Sequence, residues 1–184
     1  MLPPIPTWDG LHPIIVHFPI ALLLVAPILI LQGMFFAKSS RTFMISAFIL
    51  MVIGTIASYI AVSSGEAAGE IAERMKNVEA VLENHEGMAE TTQMVFTALT
   101  AIFGAIIFVP MIFKKELGQK IMIPLSLAFL LFYGAGTVLL LNTAHEGGRL
   151  VHEFGVRAMM TNSTQNRVVD PNTPTTKKSD DDDD

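Results

Sequence analysis

A charge-free stretch from Gly10 to Ala37 reads GLHPIIVHFPIALLLVAPILILQGMFFA. It holds no Asp, Glu, Lys or Arg, and it is longer than the roughly 20 residues that an α-helix needs to cross a bilayer. No basic residue precedes it, and its apolar run exceeds the roughly 7–15 residues of a secretory signal peptide. We therefore expect a membrane-spanning helix here rather than a cleavable leader.

Three further stretches of the chain share this character. They cover residues 42–65, 91–113 and 121–144, and each is bounded by charged residues. The whole chain is 51 % apolar and only 16 % charged, whereas a soluble domain carries roughly 25 % charged residues. The predicted fold is an all-α membrane protein, an antiparallel bundle of four transmembrane helices.

The domain organisation follows from the same pattern. Residues 1–160 are predicted to form the transmembrane domain. Its four spans are expected at about 13–37, 42–65, 91–113 and 121–144. Residues 161–184 are polar, contain two prolines and end in a run of aspartates, so they predict a disordered acidic tail.

Basic residues in the short loops predict the orientation. Lys38 and Arg41 lie between the first two spans, and Lys114, Lys115 and Lys120 lie between the last two. Because Lys and Arg are enriched in cytoplasmic loops, both loops should face the cytoplasm. We expect a multi-pass protein of a bacterial inner membrane, with both termini in the periplasm.

The second, third and fourth helices are expected to extend beyond the membrane on the outer, periplasmic side. The Glu-rich segment Glu66–Glu90 predicts a helical hairpin that turns near Lys76 and Asn77. Its apolar residues and one histidine recur at spacings of three and four, which is typical of one helical stripe. This stripe consists of Ile71, Met75, Val78, Leu82, His85 and Ala89. Residues 142–160 predict a continuation of the fourth helix.

A weak internal repeat is visible at an offset of 80 residues. It pairs Gly54 with Gly134 and Glu66 with Glu146. Two helical hairpins, each with a basic inner loop, would produce such a repeat.

Composition excludes several classes of function. The chain has no cysteine, which excludes disulfides, covalently attached haem, cysteine-ligated iron–sulfur clusters and thiol catalysis. With 17 acidic against 12 basic residues and no basic cluster, nucleic acid is not an expected partner. The four spans contain no charged residue, which disfavours proton pumps and ion-coupled transporters.

Histidines are the remaining candidates for chemistry. All five lie at the outer ends of three different predicted helices: His12, His17, His85, His145 and His152. Such ends converge in a four-helix bundle, and neutral imidazole is the usual axial ligand of non-covalent haem b. A bis-histidine haem site needs one ring from each of two facing helices. It requires no short motif and no cysteine.

Two alternatives remain open for the histidines. Zinc or copper could be bound by imidazoles together with Glu86, Glu146 and Glu153. Each of these carboxylates directly follows a histidine, so on a helix it points roughly 100° away from that histidine. The other alternative is that the rings only make hydrogen bonds near the lipid headgroups.

Three segments resemble a known bacterial membrane family. The opening HPIIVHFPIAL (residues 12–22) is similar to the start of the family called domain of unknown function 2231. His85, before the third span, and GGRLV (residues 147–151), followed by His152, agree with the same family. The resemblance covers about residues 10–158. It implies a four-helix membrane domain, associated in some members with cytochrome c-like domains, and a haem-carrying role.

These observations lead to a functional hypothesis of a membrane-anchored b-type cytochrome with one or two haems near the periplasmic face. His17 with His85 is the first expected ligand pair and His12 with His152 the second, with His145 as a substitute. Arg149 is expected to pair with a haem propionate. The protein would act as an electron carrier rather than a stand-alone enzyme.

Its expected partners are the lipid bilayer, other subunits of a respiratory complex, and a periplasmic cytochrome c. The alternative functions are a non-catalytic accessory subunit of a larger respiratory complex and a zinc- or copper-binding membrane protein.

Overall fold

The computed structural model describes residues 6–75, 77–114 and 118–156. These residues form helices connected by short turns. The helices are α1 (Trp8–Ile15), α2 (His17–Phe35), α3 (Ser40–Ala72), α4 (Glu79–Ile112) and α5 (Gln119–His152), with a 3₁₀ turn at Ala37–Ser39. The chain has four helical rods long and apolar enough to cross a membrane, with α1 and α2 forming the first. The predicted all-α bundle of four membrane helices is confirmed. The predicted tail, residues 161–184, lies outside the described residues.

The rods pack in chain order around a closed ring. The α2 helix packs against α3, α3 against α4, α4 against α5, and α5 returns to α2. Consecutive rods therefore run antiparallel. The core at the centre is almost entirely apolar and is built from thirteen buried side chains: Leu23, Ala26, Ile30, Met44, Ala47, Met51, Phe96, Leu99, Phe103, Ile107, Phe129, Tyr133 and Leu140.

The first rod is interrupted at Val16, between α1 and α2. Pro19 is the physical cause, because it has no N–H to donate to the carbonyl of Ile15 and its ring crowds that carbonyl. Hydrogen bonds from Val16 N–H to His12 O (3.1 Å) and from Ile20 N–H to Val16 O (3.4 Å) carry the chain through the break. Val16 itself keeps helical backbone angles, and α1 and α2 both pack against α3.

The two ends of the bundle differ in chemistry. The basic end carries Lys38, Arg41 and Lys114. At the opposite end, called here the histidine end, α3 and α4 are joined by a turn in which Asn77 has a φ of 68°. The two helices have 33 and 34 residues, or about 50 Å each, against a hydrocarbon thickness of about 30 Å. Both helices are therefore longer than one membrane crossing requires.

A small second core, called here the end cluster, holds the extensions together. It consists of the buried side chains Ala72, Val78, Leu82 and Leu150. The apolar stripe predicted for this segment is divided between two helices by the turn, and Met75 within it is exposed.

The α5 helix ends earlier than the sequence predicts. It stops at His152 rather than continuing to residue 160. Gly155 follows with a φ of +70°, a backbone conformation that favours glycine and cannot continue a helix. Residues 157–160 lie outside the described part of the chain.

The hairpin of α2 and α3 and the hairpin of α4 and α5 share a pattern of buried positions, at residue shifts that differ from the predicted 80. Buried positions of α3 recur as buried positions of α5 at a shift of 82 residues, rather than 80. These pairs are Met44/Ser126, Ala47/Phe129, Met51/Tyr133, Gly54/Gly136, Ser58/Leu140 and Ala61/Thr143. Buried positions of α2 recur in α4 at a shift of 73, as Pro19/Thr92, Leu23/Phe96, Ala26/Leu99 and Ile30/Phe103.

Candidate functional site

Two imidazoles meet between α1 and α4 at the histidine end. The ring centroids of His12 and His85 are 6.5 Å apart and the ring planes cross at 82°. Both side chains are partly buried. Since α1 and α4 lie on opposite sides of the ring of helices, this contact spans the interior of the bundle.

His12 is held in place by α3. Its Nδ1 lies 2.8 Å from the carbonyl oxygen of Ala61 and 3.3 Å from Oγ of Ser64. Its ring lies directly against Gly65, where an added Cβ would come within 2.9 Å of the imidazole Cε1. Trp8, one turn earlier on α1, donates its indole N–H to the carbonyl of Ser63 at 3.3 Å. These contacts attach α1 to one turn of α3.

His85 is held by α5 in the same manner. Its Nδ1 lies 3.0 Å from the carbonyl oxygen of Thr143. Its ring lies against Gly147, where a Cβ would be 2.9 Å from the imidazole Cε1. The hydroxyl of Thr143 is itself 2.8 Å from the hydroxyl of Thr92 on α4. The backbone that orients the ring is thus linked to the helix that carries it.

These hydrogen bonds determine the tautomer of both rings. A carbonyl oxygen only accepts, so Nδ1 of each neutral imidazole must carry the proton and donate it. The lone pair of each ring is then on Nε2, and no hydrogen bond to either Nε2 is recorded among the described residues. An Nδ1–H bonded to a carbonyl with a free Nε2 is the arrangement of a histidine that binds a metal.

His85 is also kept neutral. Burial lowers the pKa of this imidazole below its ordinary value of 6.5, and the nearby His12 lowers it further. The hydrogen bond to the Thr143 carbonyl and the carboxylate of Glu146 act in the opposite direction without reversing the shift. A neutral ring retains the Nε2 lone pair near pH 7.

The end cluster covers the histidine pair on the side away from the membrane core. Leu82 lies one turn beyond His85 on α4, and Leu150 lies one turn beyond Gly147 on α5. Both side chains are buried. Buried apolar side chains of the helical extensions therefore lie one turn farther out than His85 and Gly147.

The other predicted site residues lie elsewhere. His17, His145 and His152 are exposed, and the structure records no contact of His17 with His85 or of His12 with His152 within the described chain. Arg149 is already paired within α5, at 2.8 Å from Glu146 and 3.1 Å from Glu153. The structure thus brings together one member of each predicted ligand pair.

The donor set distinguishes between metals. In the described residues no group of three or more His, Asp or Glu side chains is close enough to hold a metal ion. Zinc requires three or four protein ligands, whereas haem iron takes four nitrogens from its macrocycle and needs only two axial ligands. His12 and His85, whose ring centroids are 6.5 Å apart, are two imidazole donors from separate helices, which is the number of ligands that a haem iron takes from a protein.

The fold defines a multi-pass membrane protein with a two-histidine site at one end. A family model described as a predicted membrane protein (DUF2231) matches residues 9–159, and the chain belongs to this family. No curated protein and no solved structure matches the chain.

The pairing of His12 with His85 is the part of the site that sequence reasoning missed. One available signal is the glycine that follows each carbonyl acceptor by four residues, Gly65 after Ala61 and Gly147 after Thr143. This spacing places an acceptor and a gap for a ring on successive turns of one helix face.

Proposed function

We propose that the protein is a membrane-anchored b-type cytochrome in which His12 and His85 would hold the iron of one haem. A haem would supply an iron centre that gains and loses one electron reversibly. The chain would supply the two imidazoles and hold their tautomers through the carbonyls of Ala61 and Thr143. The earlier pairs, His17 with His85 and His12 with His152, are replaced in this proposal.

One observation supports the proposal above the others. Two imidazoles from separate helices lie next to each other with ring centroids 6.5 Å apart and ring planes at 82°, each with Nδ1 bonded to a backbone carbonyl. A histidine that serves only packing needs neither a facing partner nor a free Nε2. Zinc is less favoured because the described residues provide no third ligand.

The surface next to the site suggests the electron partner. The histidine end exposes six glutamates on the α3–α4 extension: Glu66, Glu70, Glu73, Glu79, Glu83 and Glu90. Such a surface suits a basic soluble cytochrome c, with an association rate that falls as salt is raised. With the basic end in the cytoplasm, this surface and the haem would face the periplasm of a bacterial inner membrane.

Visible absorption spectroscopy tests the proposal. We expect protein purified in detergent after expression with ample haem to show a sharp α band on reduction with dithionite. His12→Asn and His85→Asn should lose it, although the amide of Asn replaces the Nδ1–H donor and preserves the bond to Ala61 or Thr143. His17→Asn and His145→Asn, at exposed rings, are the matched controls and should retain the band.

Two results would contradict the proposal. One is a colourless wild-type protein that is folded and monodisperse. The other is full retention of haem in both the His12→Asn and the His85→Asn proteins. Co-purification of other subunits with a colourless protein would instead favour the accessory-subunit alternative.

A further inference from the structure

We infer that Gly65 and Gly147 are a matched pair of positioning residues, one for each imidazole, derived from an internal duplication of a helical hairpin. The inference rests on the proposed function for its spectroscopic test only. The contacts themselves are visible in the structure without any ligand.

The repeat register places the two histidine units in equivalent positions. The shift of 73 that relates α2 to α4 also carries His12 onto His85. The shift of 82 that relates α3 to α5 carries Gly65 onto Gly147, and the acceptor Ala61 onto Thr143. Ring, acceptor and glycine are therefore equivalent in the two hairpins.

A second glycine pair shows that the repeat extends into the membrane. Gly54 packs against Leu22 and Leu23, and Gly136 packs against Leu99, Val95 and Phe96. The shift of 73 carries Leu22 onto Val95 and Leu23 onto Phe96. Two of the side-chain positions that face each glycine are thus equivalent in the two hairpins.

Gly65 and Gly147 differ from the other interhelical glycines in what they face. The three nearest atoms to an added Cβ at Gly65 all belong to the His12 ring, and those at Gly147 all belong to the His85 ring. At Gly54 and Gly104 the nearest atoms are apolar side chains instead. An alanine at position 65 or 147 would have to displace the imidazole itself, because 2.9 Å is well inside van der Waals contact.

Displacing the imidazole would disturb the hydrogen bond that orients it. The Nδ1 contacts of 2.8 Å at Ala61 and 3.0 Å at Thr143 lie on the same helix faces as the glycines, one turn earlier. The glycines therefore fix how far each ring enters the site, and the carbonyls fix how it is rotated.

A double-mutant cycle tests the contact without reference to haem. Gly65→Ala should lower the melting temperature of the otherwise unchanged protein and have little effect in a His12→Ala background. Gly147→Ala should behave in the same way with His85→Ala. Gly148→Ala and Gly87→Ala are controls, since a Cβ at either position meets nothing within 4 Å. Equal effects with and without the histidine would overturn the inference.

Electron paramagnetic resonance of the oxidised protein tests the positioning role. The g values of a low-spin ferric haem report the relative orientation of its two axial imidazole planes. We expect Gly65→Ala and Gly147→Ala to shift these values and the reduction potential, and Gly148→Ala to leave both unchanged. Wild-type spectra in both glycine variants would overturn the inference while the proposed function stands. Absence of haem from the wild type would overturn the proposed function. The double-mutant cycle would still test whether each glycine contacts its histidine.

Discussion

Glu86 is the carboxylate next in sequence to His85, and its side chain lies against Gly69 of α3. Partial burial raises the pKa of this carboxyl above its ordinary value of 4.5, and repulsion from Glu73, Glu66 and Glu90 raises it further. The charged form is thus disfavoured in the folded protein, so the ionised side chain opposes folding near neutral pH.

Glu86→Gln should therefore stabilise the protein at pH 7. Because the pKa of Glu86 is raised in the folded state, the contribution of this carboxyl to stability is favourable below pH 4.5 and is lost as the pH rises through its folded-state pKa. The stability gained by Glu86→Gln should therefore be full at neutral pH and should vanish below about pH 4. We expect less than about 1 kcal/mol, because the group is only partly buried and its charge is screened by solvent and salt.

Thermal unfolding at pH 7 and pH 4, at low and high salt, measures this effect. Glu83→Gln, at an exposed position of the same helix, is the control. A gain that is unchanged between the two pH values would show that Glu86 acts through packing rather than charge.

The sequence alone could not decide which of His12 and His17 points into the bundle. The two residues lie five positions apart, so they point in different directions around a helix. In a soluble helix the polar face would show which one points inward, but this rod is apolar on all sides. Both histidines were predicted as ligands, and only their contacts in the folded chain separate them.

Among the elements, the break between α1 and α2 has the clearest local cause. Pro19 leaves the Ile15 carbonyl without its helical donor. Both α1 and α2 pack against α3, and His12 on α1 reaches the carbonyl of Ala61 on α3.

Pro19→Ala should join α1 and α2 into one continuous helix. The new N–H can donate to Ile15, so amide hydrogen exchange across residues 12–20 should slow. Pro27→Ala, deeper in α2, is the control and should leave the exchange of residues 12–20 unchanged. Unchanged exchange in Pro19→Ala would contradict this account of the break.

The elements were more predictable than the site because charge marks their limits. Charged residues, beginning with Asp9, bound the apolar stretches, and both the four rods and their lengths follow from those limits. The end of α5 was less predictable. Residues after His152 still read as helical, and the helix ends at a glycine with positive φ, for which the sequence offers many candidates.

In addition to packing, α5 and α2 are joined by a buried hydrogen bond that links the last helix of the bundle to the first rod. The hydroxyl of Tyr133 donates to the carbonyl of Leu23 at 2.7 Å. The usual helical donor to Leu23 would be residue 27, but that residue is Pro27 and has no N–H. Tyr133 therefore satisfies a carbonyl that would otherwise be unpaired in the apolar core.

Tyr133→Phe should destabilise the bundle by about 1–3 kcal/mol, because it leaves a buried acceptor unpaired. Tyr59→Phe, at an exposed hydroxyl that contacts Thr97 at 3.1 Å, should cost much less. Adding Pro27→Ala to Tyr133→Phe should recover part of the loss by restoring the helical donor. Equal unfolding free energies for the two single tyrosine variants in detergent would contradict this role of Tyr133.

The duplicated architecture has a consequence for how the two sides of the histidine site can evolve. In a dimer of identical hairpins every substitution would be present twice, so both rings would always have the same neighbours. A fused chain is released from that constraint. Ser64 beside His12 and Glu146 near His85 occupy equivalent positions at the shift of 82, yet one is neutral and the other acidic. The single chain thus lets the two histidines have neighbours of different charge, which a symmetric dimer of hairpins would not allow.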